Sequence, residues 1–187
     1  VCSSDLDLPR VCDDLIDQGL AKLDDGALVV FMDGFDAPAI LRNQNGGYGY
    51  AVTDIAAIHH RVFDLAADRL IYVVGAPQAL HFQLVFAICR AAGYLPSGVK
   101  AYHIGFGQVL GKDGKRFSTR DGSAVYLDTL LDEAEKLAAP NIALAAIKYA
   151  DLSSGLQKDY VFDPELMTAT SGDTGPYLQY AHARICQ

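Results

Sequence analysis

The stretch LIYVVGAPQALHFQLVFAICRAAGYLPSGVKAYHI, residues 70–104, contains the clearest structural signal of the chain. It begins with Leu70–Val74, a continuous apolar run rich in β-branched side chains, which is typical of a buried parallel strand. A helix is predicted over Ala79–Ala92, closed by Gly93, and a second strand is predicted over Val99–Ile104. Strand, helix and strand in succession form a βαβ unit, so the sequence predicts an α/β protein with a parallel sheet and flanking helices.

The residues on either side of this unit predict further elements. Apolar side chains at roughly helical spacing predict a helix over Pro9–Leu23. The turn signal Asp24-Asp25-Gly26 separates it from a short apolar strand, Ala27–Phe31. Downstream, three more helices are predicted, at Leu127–Leu137, Ile142–Ala150 and Tyr177–Ile185.

A hairpin and a helix are predicted just before the βαβ unit. Ala39–Arg42 and Tyr48–Val52 read as its two strands, and Asn45-Gly46 between them is a strong signal for a tight turn. From Thr53 the apolar spacing becomes helical, and Thr53 is the predicted N-cap.

The composition limits the classes of function. With 187 residues and 51% hydrophobic content, the chain can bury one sizeable core. The net charge of −8 excludes a bulk basic surface, so any contact with nucleic acid must come from local clusters of Lys and Arg. The four cysteines form no CxxC pair, which argues against a metal knuckle and favours a reducing cytoplasm. The apolar runs are too short to span a bilayer.

Polar and glycine-rich segments follow the predicted strands, where open α/β sheets bind their ligands. They are Tyr50–Asp54, Gly75–Gln83 and Gly111–Gly122. The fold alone names no function, because the same architecture supports many reactions. The residues of these segments are more specific than the fold.

Several blocks of the chain resemble, in the same order, blocks of arginyl-tRNA synthetases. They are GGYGYAVTDIAA (46–57), DRLIYVVGAPQALHFQLVFAICRAAGY (68–94), HIGFGQVLGKDGKRFSTRDG (103–122), LDTLLDEA (127–134), IKYADLS (147–153), KDYVFD (158–163) and TGPYLQYAHARI (174–185). The resemblance runs from about Gly46 to Ile185, and the last blocks are highly specific to that family.

The resemblance implies a fold and an activity. The fold is α/β, the second half of a class I synthetase Rossmann-like parallel-sheet nucleotide-binding fold, followed by the start of an α-helical anticodon-binding domain. The implied boundaries are residues 1–140 for the catalytic half, with residues 1–6 unlike the rest, 141–172 for a helical connector and 173–187 for the anticodon-binding start. The activity is arginine–tRNA ligation, in which ATP activates L-arginine to arginyl-adenylate and the arginine passes to tRNA(Arg).

An arginine site is implied at the first two segments. A guanidinium requires a carboxylate in planar, paired hydrogen-bond geometry. Asp54 would supply the carboxylate, Tyr50 a hydroxyl and an aromatic wall, and Gln78 a further polar contact. Without the resemblance, Asp54 would be interpreted as an ordinary acid in a helical first turn and Tyr50 as a strand residue.

An ATP site is implied beside it. The family places a histidine near the start of the helix that follows the strand, and His81 matches it; the alternative is a purely structural His81. Gly75 would let adenosine approach the backbone closely. Thr119 belongs to the implied ATP contacts through the signature loop described next.

The third segment resembles the class I signature loop, usually written KMSKS. Here the aligned stretch is Arg116–Arg120, in which both lysines are absent, as is common in arginyl enzymes. Lys112, Lys115 and Arg120 are the implied catalytic cations, which would stabilise charge on the ATP phosphates. On spacing alone this cluster would be a solvated hairpin tip.

The other class I signature, HIGH, is not found. His103-Ile104-Gly105-Phe106 resembles it but lies directly before the loop, where arginyl enzymes have an ordinary strand block. We therefore expect the chain to be an internal piece that is inactive alone. The resemblance further implies L-arginine, ATP with its Mg²⁺ and tRNA(Arg) as substrates, no protein-bound metal, no membrane, a cytoplasmic location and a monomeric full-length protein. A non-catalytic synthetase-like binding protein and a generic nucleotide-binding domain are the alternatives.

Overall fold

A computed structural model describes residues 7–115 and 126–187. The chain divides into two compact units, Val1–Gly105 and Phe106–Gln187. Within the described ranges, the structure has no helix that combines the length and apolar character needed to traverse a lipid bilayer. The division does not test the domain boundaries predicted at residues 140 and 172, which stay predictions.

The first unit contains three helices and five strands among its described residues. In chain order they are α1 (Leu8–Asp17), β1 (Ala21–Asp24), β2 (Ala27–Val30), β3 (Ala39–Arg42), α2 (Tyr50–Phe63), β4 (Arg69–Gly75), a 3-10 turn (Ala76–Gln78), α3 (Ala79–Ala91) and β5 (Lys100–Phe106). One hydrophobic core joins α1, α2, α3 and the inner faces of the strands.

Strands β1, β2 and β3 form an antiparallel meander. The helix predicted over Pro9–Leu23 is wrong beyond Asp17. Gly19 adopts φ 73°, and the amide of Leu20 donates to Leu15 O at 2.9 Å, which closes the helix in a Schellman-type cap. Ala21–Asp24 is instead β1, and Asp25-Gly26, with φ values of 45° and 78°, forms the hairpin turn to β2.

The hairpin predicted after Ala39–Arg42 is only half formed. The first strand is confirmed as β3, but the predicted strand Tyr48–Val52 is wrong. Tyr48 makes a single antiparallel bridge to Arg42, and α2 begins at Tyr50. The N-cap is Gly49 rather than the predicted Thr53, whose hydroxyl lies inside the helix and donates back to Gly49 O at 3.3 Å.

The predicted βαβ unit is confirmed as β4, α3 and β5. Strands β4 and β5 pair in one sheet, and they run parallel because both their starts and their ends are adjacent. The amide of Lys100 donates to Asp68 O at 3.0 Å at the starts, and Gly105 lies against Ala76 at the ends. The outer face of this sheet exposes apolar side chains, namely Ile71, Val73, Tyr102 and Ile104.

The second unit contains β6 (Val109–Leu110), α4 (Leu127–Glu135), α5 (Pro140–Ser153), β7 (Tyr160–Val161), α6 (Pro164–Met167) and α7 (Gly175–Ile185). The three predicted helices are confirmed as α4, α5 and α7 with shifted ends. Its small core is built on Ala146, Phe162 and Met167. Gly175 allows α7 to approach α5, because a Cβ there would lie 2.2 Å from Ala145 O.

Candidate active site

The start of α2 positions Tyr50 and Asp54. A Cβ on Gly49 would lie 2.4 Å from Ile40 O, so only glycine fits where β3 crosses the helix start. The Gly49 amide donates to Leu41 O at 2.9 Å, which ties the helix to β3. Tyr50 is the first helical residue and its ring is 86% exposed, while Asp54 follows one turn later on the same side.

The end of β4 positions Gly75, Gln78 and His81. Gly75 ends the strand, the 3-10 turn Ala76–Gln78 reverses the chain, and α3 begins at Ala79. Gln78 is exposed and His81 lies in the first turn of α3. Both predicted segments of the arginine site therefore meet at one end of the first unit.

A hydrogen bond joins these segments. His81 Nε2 lies 2.7 Å from Asp54 Oδ2, and the two side chains are 30% and 31% exposed. Because an ionised carboxylate only accepts hydrogen bonds, His81 Nε2 is the donor. The structure thus brings together a residue predicted for ATP and a residue predicted for arginine.

The His81 ring is held by an aromatic cluster. It contacts Phe82 edge-on, with ring centroids 5.2 Å apart, and Phe82 stacks on His103 at 5.1 Å. His103 Nε2 donates to Val74 O at 3.0 Å, and Phe82 itself is buried. The orientation of the His81 imidazole is therefore set by the core.

A second polar contact supports the same cluster. Arg61 Nη1 donates to Tyr72 Oη at 2.7 Å, and the Tyr72 ring packs against Phe82 and Phe86. Burial raises the pKa of the Tyr72 phenol, Arg61 opposes this rise, and the charge of Asp54 adds to it. Tyr72 remains a neutral donor and acceptor near the carboxylate.

A cleft of about 620 Å³ in the first unit lies at the other end of α2. Its lining includes Asp13, Asp14, His59 and the pair His60–Asp64, in which His60 Nδ1 lies 2.7 Å from Asp64 Oδ2. Burial lowers the pKa of His59, and Arg10 lowers it further. This second His–Asp pair joins the last turn of α2 to Asp64, the C-cap that follows it, and includes none of the predicted site residues.

In the second unit Lys112 contacts two carboxylates that the sequence did not predict. Its Nζ lies 3.1 Å from Asp163 Oδ1 and 3.2 Å from Glu165 Oε2. Hydrogen bonds to Asp163 and Glu165 raise the pKa of Lys112. Desolvation raises the pKa of Asp163, but hydrogen bonds from Lys112 and from the amides of Leu166 and Glu165 outweigh it and leave that pKa below its ordinary value.

The chain leading to Lys112 is tied to the segment before α6. Strand β6 pairs in parallel with β7, and the amide of Phe162 donates to Leu110 O at 2.8 Å. The amide of Gln108 donates to Asp159 Oδ1 at 2.7 Å. Gly107 has no room for a side chain, because a Cβ would lie 2.2 Å from Lys158 O. The base of the predicted signature loop is thus firmly held.

The rest of that loop is only partly described. Lys115 is exposed, and its carbonyl accepts from the Gly111 amide at 2.9 Å in a tight turn. Among the described residues, no carboxylate lies within ion-pair distance of Lys115. Three predicted residues of the loop lie outside the described residues, namely Arg116, Thr119 and Arg120. The same holds for residues 1–6, which the sequence predicted to be unlike the rest of the chain.

Comparison with known proteins decides the family. Residues 3–142 match the family model described as tRNA synthetases class I (R), catalytic domain, which is well over half of the chain. The chain belongs to the class I arginyl-tRNA synthetases. Its fold is accordingly the α/β, parallel-sheet fold of the class I catalytic domain, as predicted.

Curated relatives agree with this family. The chain is 62% identical over 181 residues to the arginine–tRNA ligase of Cutibacterium acnes, covering 97% of this chain and 33% of that protein. It is 47% identical to the arginine–tRNA ligase of Thermobifida fusca, covering 95% of the chain and 35% of that protein. The chain therefore spans about a third of the length of these arginyl-tRNA synthetases.

Solved structures of the family have the same architecture. The arginyl-tRNA synthetase of Plasmodium falciparum matches 96% of this chain and 33% of its own, with a TM-score of 0.76 and 29% identity. That of Thermus thermophilus matches 95% of this chain and 39% of its own, with a TM-score of 0.71 and 25% identity.

The alignments also show that this chain is shorter than some relatives over the region that they share. The alignment with the Thermobifida fusca ligase extends over 203 positions, which is more than the 187 residues of the chain. The Thermobifida fusca protein therefore has residues in this region that the chain lacks. The alignment with the Cutibacterium acnes ligase extends over 181 residues and covers 97% of the chain. The shorter form is therefore shared with that arginyl-tRNA synthetase.

Sequence reasoning missed several polar contacts in each of the two units. Asp163 precedes Pro164 and accepts from the amides of Glu165 and Leu166 as N-cap of α6, and an Asp-Pro pair is a recognisable N-cap signal. The pairing of Asp163 with Lys112, and that of Arg61 with Tyr72, have no local signal. Tertiary structure alone reveals them.

Proposed function

We propose that the complete protein containing this chain is an arginine–tRNA ligase. It activates L-arginine with ATP, releases pyrophosphate and transfers the arginine to tRNA(Arg) in protein synthesis. The 62% identity with the Cutibacterium acnes arginine–tRNA ligase over 97% of the chain supports this proposal most strongly. Because the chain spans a third of that protein, the activity belongs to the complete protein and not to this piece.

The outer face of the β4–β5 sheet is consistent with a larger enzyme. Parallel sheets are normally covered on both faces. Ile71 and Val73 are 57% and 62% exposed here, so further structure of the complete protein is expected to pack on them.

The arginine site is proposed at the start of α2. Asp54 binds the guanidinium, Tyr50 offers its hydroxyl and its exposed ring, and Gln78 supplies a polar contact from the 3-10 turn. A carboxylate has about four acceptor positions, so Asp54 accepts from His81 and still offers a paired geometry to the fork of N–H donors. Amino acids without a guanidinium leave this carboxylate unpaired and are rejected without an editing domain.

ATP is proposed to bind at the end of β4. Gly75 allows close approach, and His81 and Thr119 are the further ATP contacts that the family pattern implies. Lys115 and Arg120 are the proposed catalytic cations, and Lys112 joins them only when its contacts with Asp163 and Glu165 open. ATP brings its own Mg²⁺, and no resident metal is proposed.

The wider assignments follow from the same proposal. Residues 1–140 contribute to catalysis, 141–172 connect, and 173–187 begin the anticodon-binding domain. The substrates are L-arginine, ATP and tRNA(Arg), and the full-length protein is a cytoplasmic monomer that needs no membrane.

Aminoacylation of tRNA(Arg) by the complete protein tests this function. We expect arginine-dependent charging that requires ATP, and no charging with lysine or citrulline in place of arginine. A folded protein that binds arginine but does not charge tRNA above background is a non-catalytic relative, and that result overturns the proposal.

A further inference from the structure

We infer that His81 is a positioning residue for arginine recognition, acting through Asp54. This inference rests on the proposed function and concerns the division of work within its site. It assigns to the arginine side a histidine that the family pattern places with ATP. The observation behind it is the contact of 2.7 Å between His81 Nε2 and Asp54 Oδ2.

Bidentate binding of a guanidinium requires that the plane of the carboxylate be fixed. An aspartate on a helix rotates about its side-chain bonds unless another group holds one oxygen. His81 holds Oδ2 from a different helix, and the two residues are 27 positions apart in the chain. The contact therefore locks Asp54 to α3 and leaves Oδ1 and the remaining lone pair of Oδ2 to the substrate.

The His81 ring is itself fixed, which a positioning role requires. It lies edge-on to the buried Phe82 at an interplanar angle of 78°. Phe82 stacks on His103 with an interplanar angle of 19°, and His103 is anchored to the carbonyl of Val74 at the end of β4. The orientation of Asp54 is thus set by the same sheet that ends at the substrate site.

The Nε2–H of His81 is already donated to Asp54 in this contact. An ATP phosphate that required the same N–H would have to break it and would release Asp54. In the structure, this N–H is directed to Asp54, which the proposed function assigns to arginine. Loss of the imidazole is therefore expected to weaken arginine binding and to leave ATP binding nearly unchanged.

The same chain offers a matched control. His60 and Asp64 form a pair of the same length, 2.7 Å, but between the last turn of α2 and its C-cap residue, with Asp64 58% exposed. Replacing His60 removes another histidine–aspartate contact, made through Nδ1 instead of Nε2, without touching the proposed site. Any effect that both replacements share is structural.

Steady-state aminoacylation by the complete protein tests the inference with His81→Leu, His81→Gln and His60→Leu. We expect His81→Leu to raise the KM for arginine about tenfold and to change the KM for ATP less than about twofold. His81→Gln retains an N–H donor at similar reach and should recover most of the loss, and His60→Leu should change neither KM.

The contrary outcomes are distinct. A rise in the KM for ATP with an unchanged KM for arginine in His81→Leu overturns the inference and returns His81 to the ATP site. Equal losses in His81→Leu and His81→Gln, with unchanged thermal unfolding, also overturn it, because they show that the donor is not what matters. Absence of charging by the unmodified protein overturns the proposed function and the inference with it.

Discussion

The two units of the molecule use their predicted site residues in different ways. In the first unit, Asp54 and His81 were both predicted to bind substrates, and the structure pairs them with each other while both remain about 30% exposed. In the second unit, Lys112 was predicted as a catalytic cation, and the structure pairs it with Asp163 and Glu165. In the proposed site, the first contact orients a carboxylate that would bind the substrate, whereas the second pairs a cation with two carboxylates.

The surroundings of the two contacts explain why their consequences differ. Asp54 and His81 lie beside an aromatic cluster, where water is partly excluded and electrostatic interactions are strong. The Lys112 side chain is 52% exposed and that of Glu165 is 74% exposed, so solvent screens much of their attraction. Substitutions are therefore expected to have larger effects in the first unit.

The largest effect is expected for Asp54→Asn. The substitution keeps the shape of the side chain but removes the charge that the guanidinium requires. We expect the KM for arginine to rise by at least about 30-fold. Removing one charge of a desolvated, hydrogen-bonded pair costs about 2–5 kcal/mol, because the other charge is left without its partner. The KM for ATP should change less than about twofold. Steady-state charging at varied arginine measures this.

Asp64→Asn is the matched control, since Asp64 also pairs with a histidine at 2.7 Å on α2. Its kinetics should match those of the unmodified protein. An Asp54→Asn protein that folds normally and keeps its arginine KM would remove Asp54 from the guanidinium site. Neither of the two His–Asp pairs would then affect the KM for arginine.

The sequence predicts well what local patterns determine. The apolar run of β4 and the spacing of α3 predicted the βαβ unit, and Gly93 adopts the positive φ of 74° expected at the end of a helix. Asp54 was predicted on a helix as well, but in its first turn; it lies one turn further in, because the helix begins at Tyr50. These features depend on neighbours within a few residues.

The remaining features depend on distant residues, and no local pattern contains them. The helix α2 begins at Tyr50, directly after Gly49, where the distant carbonyl of Ile40 leaves no room for a Cβ. The partner of Asp54 is 27 residues away and the partner Glu165 of Lys112 is 53 residues away. The residue types predicted which side chains could bind a substrate. Their contacts with distant residues decide which of these side chains remain available to do so.

An intermediate effect is expected from a comparison of Lys115→Met with Lys112→Met. Lys112 is held by two carboxylates, so its charge contributes little to a phosphate, whereas Lys115 has no carboxylate partner among the described residues. We expect Lys115→Met to lower kcat/KM for ATP on the order of tenfold. Lys112→Met should lower it less than about fivefold, and Lys112→Arg should restore it.

Charging at varied ATP measures both variants against the same protein. A deeper loss in Lys112→Met than in Lys115→Met would show that the contact with Asp163 opens during the reaction. Lys112 would then act on the phosphates directly. The predicted charged residue would in that case bind a substrate in both units.

The smallest effect is expected for the pH dependence of Asp163→Asn. The pKa of Asp163 is below its ordinary 3.8 in the folded protein, so the contact stabilises the fold above that pH and the stabilisation is lost as the pH falls through the lowered value. The pKa of Lys112 is raised above 10.5, so its contribution to the stability of the fold is present below pH 10.5 and is lost as the pH rises through the raised value.

Asp163→Asn should therefore slightly lower the thermal unfolding midpoint at neutral pH, and the difference should vanish in acid. A difference that persists unchanged in acid would assign the loss to the N-cap of α6 and not to the charge, because the Asp163 carboxyl is itself uncharged there.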